Sequence, residues 1–214
     1  LQLKRDSNHR VLDVGAGNGA FMALALDCSP QLQIFGAEYS QSAIDQAPPA
    51  VRARLSRCNL QDHAAVLPWG GNFQLLTCME VLEHLPDDLL AIRQMAQALV
   101  PGGHLFVSVP GWPAQWGPQD DIAGHVRRYE PQIIQERLQQ AGFEIVHMKC
   151  WGGIICRLYL TLTDLIGPGK TMAIRPTGIA GLAAATIYQM MKLDDLLSFG
   201  RGPQLLVLAR KVSG

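Results

Sequence analysis

Two short segments concentrate the residue types that move protons. The first, MEVLEHL over 79–85, holds Glu80, Glu83 and His84 as E-x-x-E-H. Residues three and four apart share a helical face, so on one turn Glu80 lies near Glu83 and His84. The second, DDIAGHVRRYEP over 120–131, holds His125, Arg127, Arg128 and Tyr129. Imidazole changes protonation near neutral pH, which makes His125 and His84 candidate catalytic residues, His125 as a general base. Arg128 and Tyr129 are candidate substrate contacts, the arginine for an anionic group. Trp112 and Trp116 of the preceding PGWPAQWGPQ join them, as parts of a stiff lid. A plainer reading stands beside each: Glu83 and His84 cap a helix or pack under a loop, and G-H-x-R-R-Y pins the lid by salt bridges. Asp120 and Asp121 read as solvent-facing. His9, His63, His104 and His147 fall outside both clusters and read as structural or exposed.

A third segment binds rather than reacts. In VLDVGAGNGAF (11–21), Gly15, Gly17 and Gly19 follow a short apolar run, allowing a tight turn and close approach of a ligand to the main chain. The spacing is G-x-G-x-G, not the dinucleotide G-x-G-x-x-G, and the Lys-Ser/Thr pair of a phosphate loop is absent. Glu38 ends the next apolar run, where a carboxylate can accept from both ribose hydroxyls of a nucleoside. Asp13, just ahead of the loop, is placed to hold the loop backbone or meet a cationic ligand.

The elements that must position these groups alternate. Strands are predicted over 10–14, 33–38, 53–58, 73–79, 104–109, 143–151 and 204–212. Helices are predicted over 20–26, 40–47 (stopped by Pro48-Pro49), 86–99 (ended by PGG at 101–103) and 131–141. Such alternation implies an α/β fold, a mostly parallel sheet with helices on both faces. Residues 152–203 separate the last two strands by far more than a hairpin needs, and read as an inserted helical cap. The domain reading is a core of 1–151 plus 204–214, with the cap at 152–203 shaping an acceptor pocket. Extension of the core and a homodimer contact are the competing uses of the cap.

VLDVGAGNG, GAEYS, FQLLTCMEVLEHLPDD and LVPGGHLFVSVP occur in this order and spacing. Together they resemble the class I S-adenosylmethionine-dependent methyltransferases, over about residues 10–151 and 204–212. The resemblance implies a Rossmann-like, seven-stranded sheet with its last strand antiparallel. S-adenosylmethionine would lie across the carboxyl ends of the first strands. Asp13, Gly15, Gly17 and Gly19 would contact its methionine part, Glu38 the ribose and Tyr39 the adenine. Asn59 and Leu60 would lie at the adenine edge, and Met79 would close the pocket. Many members carry Asp where this chain has Asn59, and Asn still accepts a bond from the adenine amino group. A nucleoside bearing an amino acid and no phosphates also accounts for the missing phosphate motifs. The E-x-x-E-H turn is similar to that of ubiquinone-pathway O-methyltransferases and small-RNA 2′-O-methyltransferases, where such residues hold a divalent ion. By that likeness Glu80, Glu83, His84 and His125 would ligate Mg2+ or another divalent metal, which would lower the pKa of an acceptor hydroxyl.

The 214 residues carry no formal net charge and are 48% hydrophobic. Without a basic stripe a nucleic-acid partner is disfavoured, and the apolar 152–203 segment suits a small, hydrophobic or lipid-like acceptor. The expectation is therefore O-methylation of such an acceptor in small-molecule biosynthesis. An RNA 2′-hydroxyl acceptor and a non-catalytic methyltransferase-like partner module are the rivals. Five cysteines without CxxC spacing read as reduced, in a cytoplasmic protein. No signal peptide and no membrane span is read; MMKLDDLLSFGRG (190–202) has some amphipathic character, so that a peripheral membrane contact stays open, but few basic residues to support it.

Overall fold

The structure, a computed structural model, describes residues 9–62, 72–153 and 202–212. Within them the strands are β1 (Arg10–Val14), β2 (Gln33–Glu38), β3 (Leu55–Arg57), β4 (Phe73–Met79), β5 (Leu99–Pro110), β6 (Phe143–Trp151) and β7 (Gln204–Lys211). The helices are α1 (Ala20–Cys28), α2 (Gln41–Asp45), α3 (Pro49–Arg52), α4 (Asp88–Ala98), α5 (Pro118–Ala123) and α6 (Pro131–Gln140). One sheet runs β3-β2-β1-β4-β5-β7-β6.

The apolar run RVLDV explains the centre of this sheet. Four of its five residues are buried, and β1 pairs in parallel with β2 on one side and β4 on the other. A strand covered on both faces needs such a run. From β1 the chain builds outward through β2 to β3, then returns to place β4 on the opposite side. This reversal of strand order opens a crevice at the carboxyl ends of β1 and β4, the usual ligand position in open parallel sheets. The glycine loop and the E-x-x-E-H segment both begin there. The far edge is antiparallel: β7 lies between β5 and β6 and runs against both.

Several expected boundaries shift for identifiable reasons. Asp87, not Pro86, starts α4, its side chain accepting the Leu90 N–H at 2.9 Å. PGG does not end a helix by a loop. β5 begins at Leu99, which pairs with Phe73, while His104 pairs with Leu75, so the intervening residues bulge from the strand. Gly102 takes φ +74° there, a conformation glycine adopts without strain. Pro49 opens a new helix at its first turn, where a missing N–H costs nothing. The lid segment contains a helix of its own, α5.

The main core packs Leu12, Leu76 and Leu105 of the sheet against Ile92 and Met95 of α4 and Ile134 and Leu138 of α6, with Tyr129 buried among them. Cys28, Cys58, Cys78 and Cys150 are free thiols. His9 is half-buried, His104 lies on β5 and His147 on β6. His63, Cys156, the amphipathic 190–202 stretch and nearly all of the expected 152–203 cap lie outside the described residues. No helix among the described residues is long and apolar enough to cross a membrane.

Candidate functional site

The crevice is built from the end of β1. The Gly15 and Ala16 N–H groups both donate to the Ala37 carbonyl, at 2.8 and 3.1 Å, folding the loop against β2. Gly15 has φ +76°, and a side chain there would overlap Val81. Glycine is therefore required twice over, by backbone and by space. Glu38 anchors the loop from the neighbouring strand. Its Oε2 accepts the Gly17 N–H at 2.8 Å and its Oε1 the Ser40 N–H at 2.7 Å. Each oxygen keeps a free lone pair for a further donor.

These groups edge a cavity of about 540 Å3, a volume in the ordinary range for ligand sites. Gly15, expected at the methionine part of the cofactor, and Glu38, Tyr39, Asn59 and Leu60, expected at its nucleoside, line it. Tyr39 is 62% exposed, its ring facing the Arg57 guanidinium at 5.9 Å, and so is free to cover a ligand. Asp13, Gly17, Gly19 and Met79 do not line it. Asp13 is buried beneath the loop, its Oδ1 accepting the Thr77 hydroxyl at 2.6 Å. Burial pushes its carboxyl up to about 6, against the Thr77 bond, with the nearby Glu38 charge adding to the rise. Gly19 packs against Val51. In place of Met79, the next residues Glu80 and Val81 form the wall.

Gln61 is a lining residue that sequence reasoning missed. Its Nε2 donates to the Asp87 carbonyl and its Oε1 accepts the Asp87 N–H, both at 3.0 Å. This paired contact ties the loop after β3 to the start of α4 across the cavity mouth.

The opposite wall comes from the end of β4, where the expected helical turn does not form. Leu82–His84 is a single 3-10 turn, and Glu80 precedes it with φ +54°. That left-handed backbone directs Glu80 away, its Oε1 accepting from the Ser108 hydroxyl at 2.7 Å and its Oε2 from the Gln204 amide at 3.0 Å. The expected grouping of four ligands is thus corrected to three. Glu83, His84 and His125 have ligand atoms within 4.8 Å of one another.

Glu83 is 0% exposed, and neither of its carboxylate oxygens has a hydrogen-bond partner. Burial, then the charge of Glu80, pushes its carboxyl up to about 8, with Asp120 adding a smaller rise. His125 places Nε2 3.9 Å from Glu83 Oε1, and the His84 ring meets the His125 ring edge-on at 4.8 Å between centroids. The Val126 N–H donates to the Glu83 carbonyl at 2.8 Å, docking the lid segment onto the turn.

Two expectations for the lid, those for Asp120 and Tyr129, are corrected. Asp120 is not solvent-facing but 0% exposed, and it binds both His125 Nδ1, at 2.7 Å, and Arg128 Nε, at 2.8 Å. Burial alone would raise its carboxyl, but the bonds from Arg128, the Gly117 N–H and His125 hold it below the ordinary range. Arg128 gives Nε to Asp120 at 2.8 Å and Nη1 to the Gly111 carbonyl at 3.2 Å, and these two bonds pin the lid segment. Tyr129 is 1% exposed and donates to the Leu82 carbonyl and Asp88, a buried clamp rather than a substrate contact. Trp112 donates to the Gly202 carbonyl at 3.0 Å. Trp116 is 42% exposed and donates to Asp121.

The family model described as a methyltransferase domain matches residues 1–148. A ubiquinone biosynthesis O-methyltransferase of Xanthomonas campestris is 41% identical over 111 residues, a match covering 46% of this chain and 42% of that protein. The chain thus aligns with less than half the length of this curated relative. An S-adenosylmethionine-dependent methyltransferase structure from Mesorhizobium loti superposes with a TM-score of 0.63 at 22% identity, covering 98% of this chain and 94% of that one. The [4+2]-cyclase SpnF structure gives the same TM-score at 23% identity, covering 98% of this chain and 77% of that one. At such identities the likeness is one of fold.

Proposed function

The chain belongs to the methyltransferase domain family, and on that premise we propose that it transfers a methyl group from S-adenosylmethionine to a hydroxyl of a small, lipid-like aromatic acceptor. One observation carries this reading. One cavity is lined by Gly15, Glu38 and His84, and His125, which does not line it, packs its ring against that of His84 at 4.8 Å, so the expected cofactor-binding groups and the histidine pair are neighbours. The cofactor fits the residues present: Glu38 keeps lone pairs for the ribose, Tyr39 offers an aromatic face, and Leu60 gives an apolar wall for the base. The name of the Xanthomonas relative supports oxygen as the target and a ubiquinone-like acceptor. The apolar segment 152–203 supports a hydrophobic acceptor and is assigned to its pocket.

When bound, S-adenosylmethionine supplies a methyl group on a sulfonium, transferred in line to an oxygen with release of S-adenosylhomocysteine. The residues of this chain align, exclude water and take a proton. Glu38 and the Gly15 turn hold the nucleoside in register with the wall at Val81. His125 accepts the acceptor's hydroxyl proton at Nε2, with His84 packed against its ring. A second reading is favoured by the orphaned oxygens of Glu83. A buried carboxylate without any partner beside two imidazoles suits a divalent ion, and Glu83, His84 and His125 would hold it. Two nitrogen donors favour a transition ion over Mg2+. Such an ion would lower the pKa of the acceptor hydroxyl.

Isothermal titration with S-adenosylmethionine, followed by mass spectrometry of a prenylated catechol incubated with chain and cofactor, tests the proposal. Methylated catechol and saturable cofactor binding are expected. Absence of cofactor binding would defeat it, and activity abolished by chelation would select the ion reading.

A further inference from the structure

Asp120 caps α5 through the Gly117 N–H and also reaches the ring of His125. It is fully buried at the start of α5 and takes three donors. The Gly117 N–H donates to Oδ2 at 2.8 Å, and Arg128 Nε donates to Oδ1 at 2.8 Å. The third contact joins the same Oδ1 to His125 Nδ1 at 2.7 Å. A carboxyl facing a permanent guanidinium and a backbone N–H is ionised, and an ionised carboxylate only accepts. The hydrogen of the third contact therefore belongs to Nδ1.

The other ring nitrogen then carries the lone pair. Nε2 faces Glu83 Oε1 at 3.9 Å, on the side of the ring where His84 packs. The main chain at His125 is itself tied down. The His125 N–H donates to the Asp120 carbonyl at 2.9 Å, and the next residue, Val126, donates to the Glu83 carbonyl at 2.8 Å.

We propose that Asp120 is a positioning residue that fixes the Nδ1–H tautomer and the ring plane of His125, presenting the Nε2 lone pair toward Glu83 and His84. Free imidazole favours the opposite tautomer, so the contact selects against the default. The inference rests on the methyltransferase reading for its catalytic consequence. Whether Nε2 takes a proton or binds an ion, the same lone pair is needed, and Asp120 supplies it from behind the ring.

The test is nitrogen-15 spectroscopy of the chelated, histidine-labelled full chain at mildly alkaline pH, with His125→Asn giving the assignment. In the wild-type chain His125 is expected to carry its proton on Nδ1. Asp120→Ala is expected to move it to Nε2 and to lower kcat toward a prenylated catechol about 10–100-fold, the usual effect of removing such a partner. KM and S-adenosylmethionine affinity stay unchanged. Asp121→Ala, which cuts a bond of the same helix without touching His125, is expected to leave kcat within about twofold. A wild-type His125 protonated on Nε2 overturns the proposal, and this result needs no variant to fold. So does Asp120→Ala with unchanged kcat, or Asp121→Ala losing as much as Asp120→Ala. A wild-type chain that binds no S-adenosylmethionine would instead sink the transferase reading and leave the tautomer result standing.

Discussion

Glu83 makes the stability of the ion-free protein fall as pH rises. Its carboxyl is 0% exposed with neither oxygen bonded, and burial raises its folded-state value from 4.5 to about 8. The folded chain thus holds this proton more tightly than the unfolded chain does. Stability from this group is fully present below pH 4.5 and is lost as pH climbs through 8. The shift of about 3.5 pH units, at about 1.36 kcal/mol each, sets a limit of about 5 kcal/mol, which relaxation of the buried carboxylate reduces. Glu83→Gln keeps the shape and removes the ionisation. Urea unfolding of chelated wild type and variant across pH 5 to 9 isolates the effect, because other titrating groups, Asp13 included, cancel in the difference. The two proteins are expected to be nearly equal near pH 5. Above pH 8 the variant should be more stable by several kcal/mol, up to the limit of about 5. A difference that does not change with pH would refute the buried, unpartnered carboxyl. A difference abolished by adding a divalent ion would instead identify the partner that the carboxylate lacks.

Three further outcomes follow from the same geometry. Glu38→Ala is expected to weaken S-adenosylmethionine binding by about 1–3 kcal/mol, the range for unmade charge-assisted bonds, and unchanged affinity by titration calorimetry would remove Glu38 from the ribose. Gly15→Ala should destabilise the fold by about 1–3 kcal/mol in urea melts, since the new side chain meets Val81 at a left-handed backbone position. Tyr129→Phe deletes the donor to Leu82 and Asp88 and should cost about 1–2 kcal/mol of stability while leaving the acceptor KM unchanged. A raised KM without loss of stability would return Tyr129 to the substrate side.

Much of the cofactor end was legible in the chain order. The apolar RVLDV run, the G-x-G-x-G turn and the acidic residue ending the next strand are local patterns, each set by short-range backbone and burial rules. Their partners in space follow once strands alternate with helices. Gly15 and Glu38, read from these patterns, and Tyr39, Asn59 and Leu60, named by the family resemblance, all line one cavity. Gln61 was not legible. Its role depends on Asp87, 26 positions away, and a lone glutamine in a loop carries no local pattern.

The end around Glu83, His84 and His125 divides differently. The E-x-x-E-H spacing singled out Glu83 and His84, and His125 was named separately, as the imidazole of the segment 120–131. The same spacing also predicted a helical turn that would include Glu80. Glu80 instead has a left-handed backbone and bonds Ser108 on β5 and Gln204 on β7, contacts 28 and 124 residues distant. Asp120 shows the limit most clearly. In sequence it is one of two adjacent acids with nothing to separate them. Folding buries Asp120 against Arg128 and His125 and leaves Asp121 bound to an exposed Trp116. The sequence by itself determined the alternation of strands and helices, the glycine turn and the residue types available for chemistry, since these depend on neighbours along the chain. Only the tertiary structure decided which acid is buried, which carboxylate is left without a hydrogen-bond partner and which histidine nitrogen meets Asp120, because burial and hydrogen-bond satisfaction depend on neighbours in space.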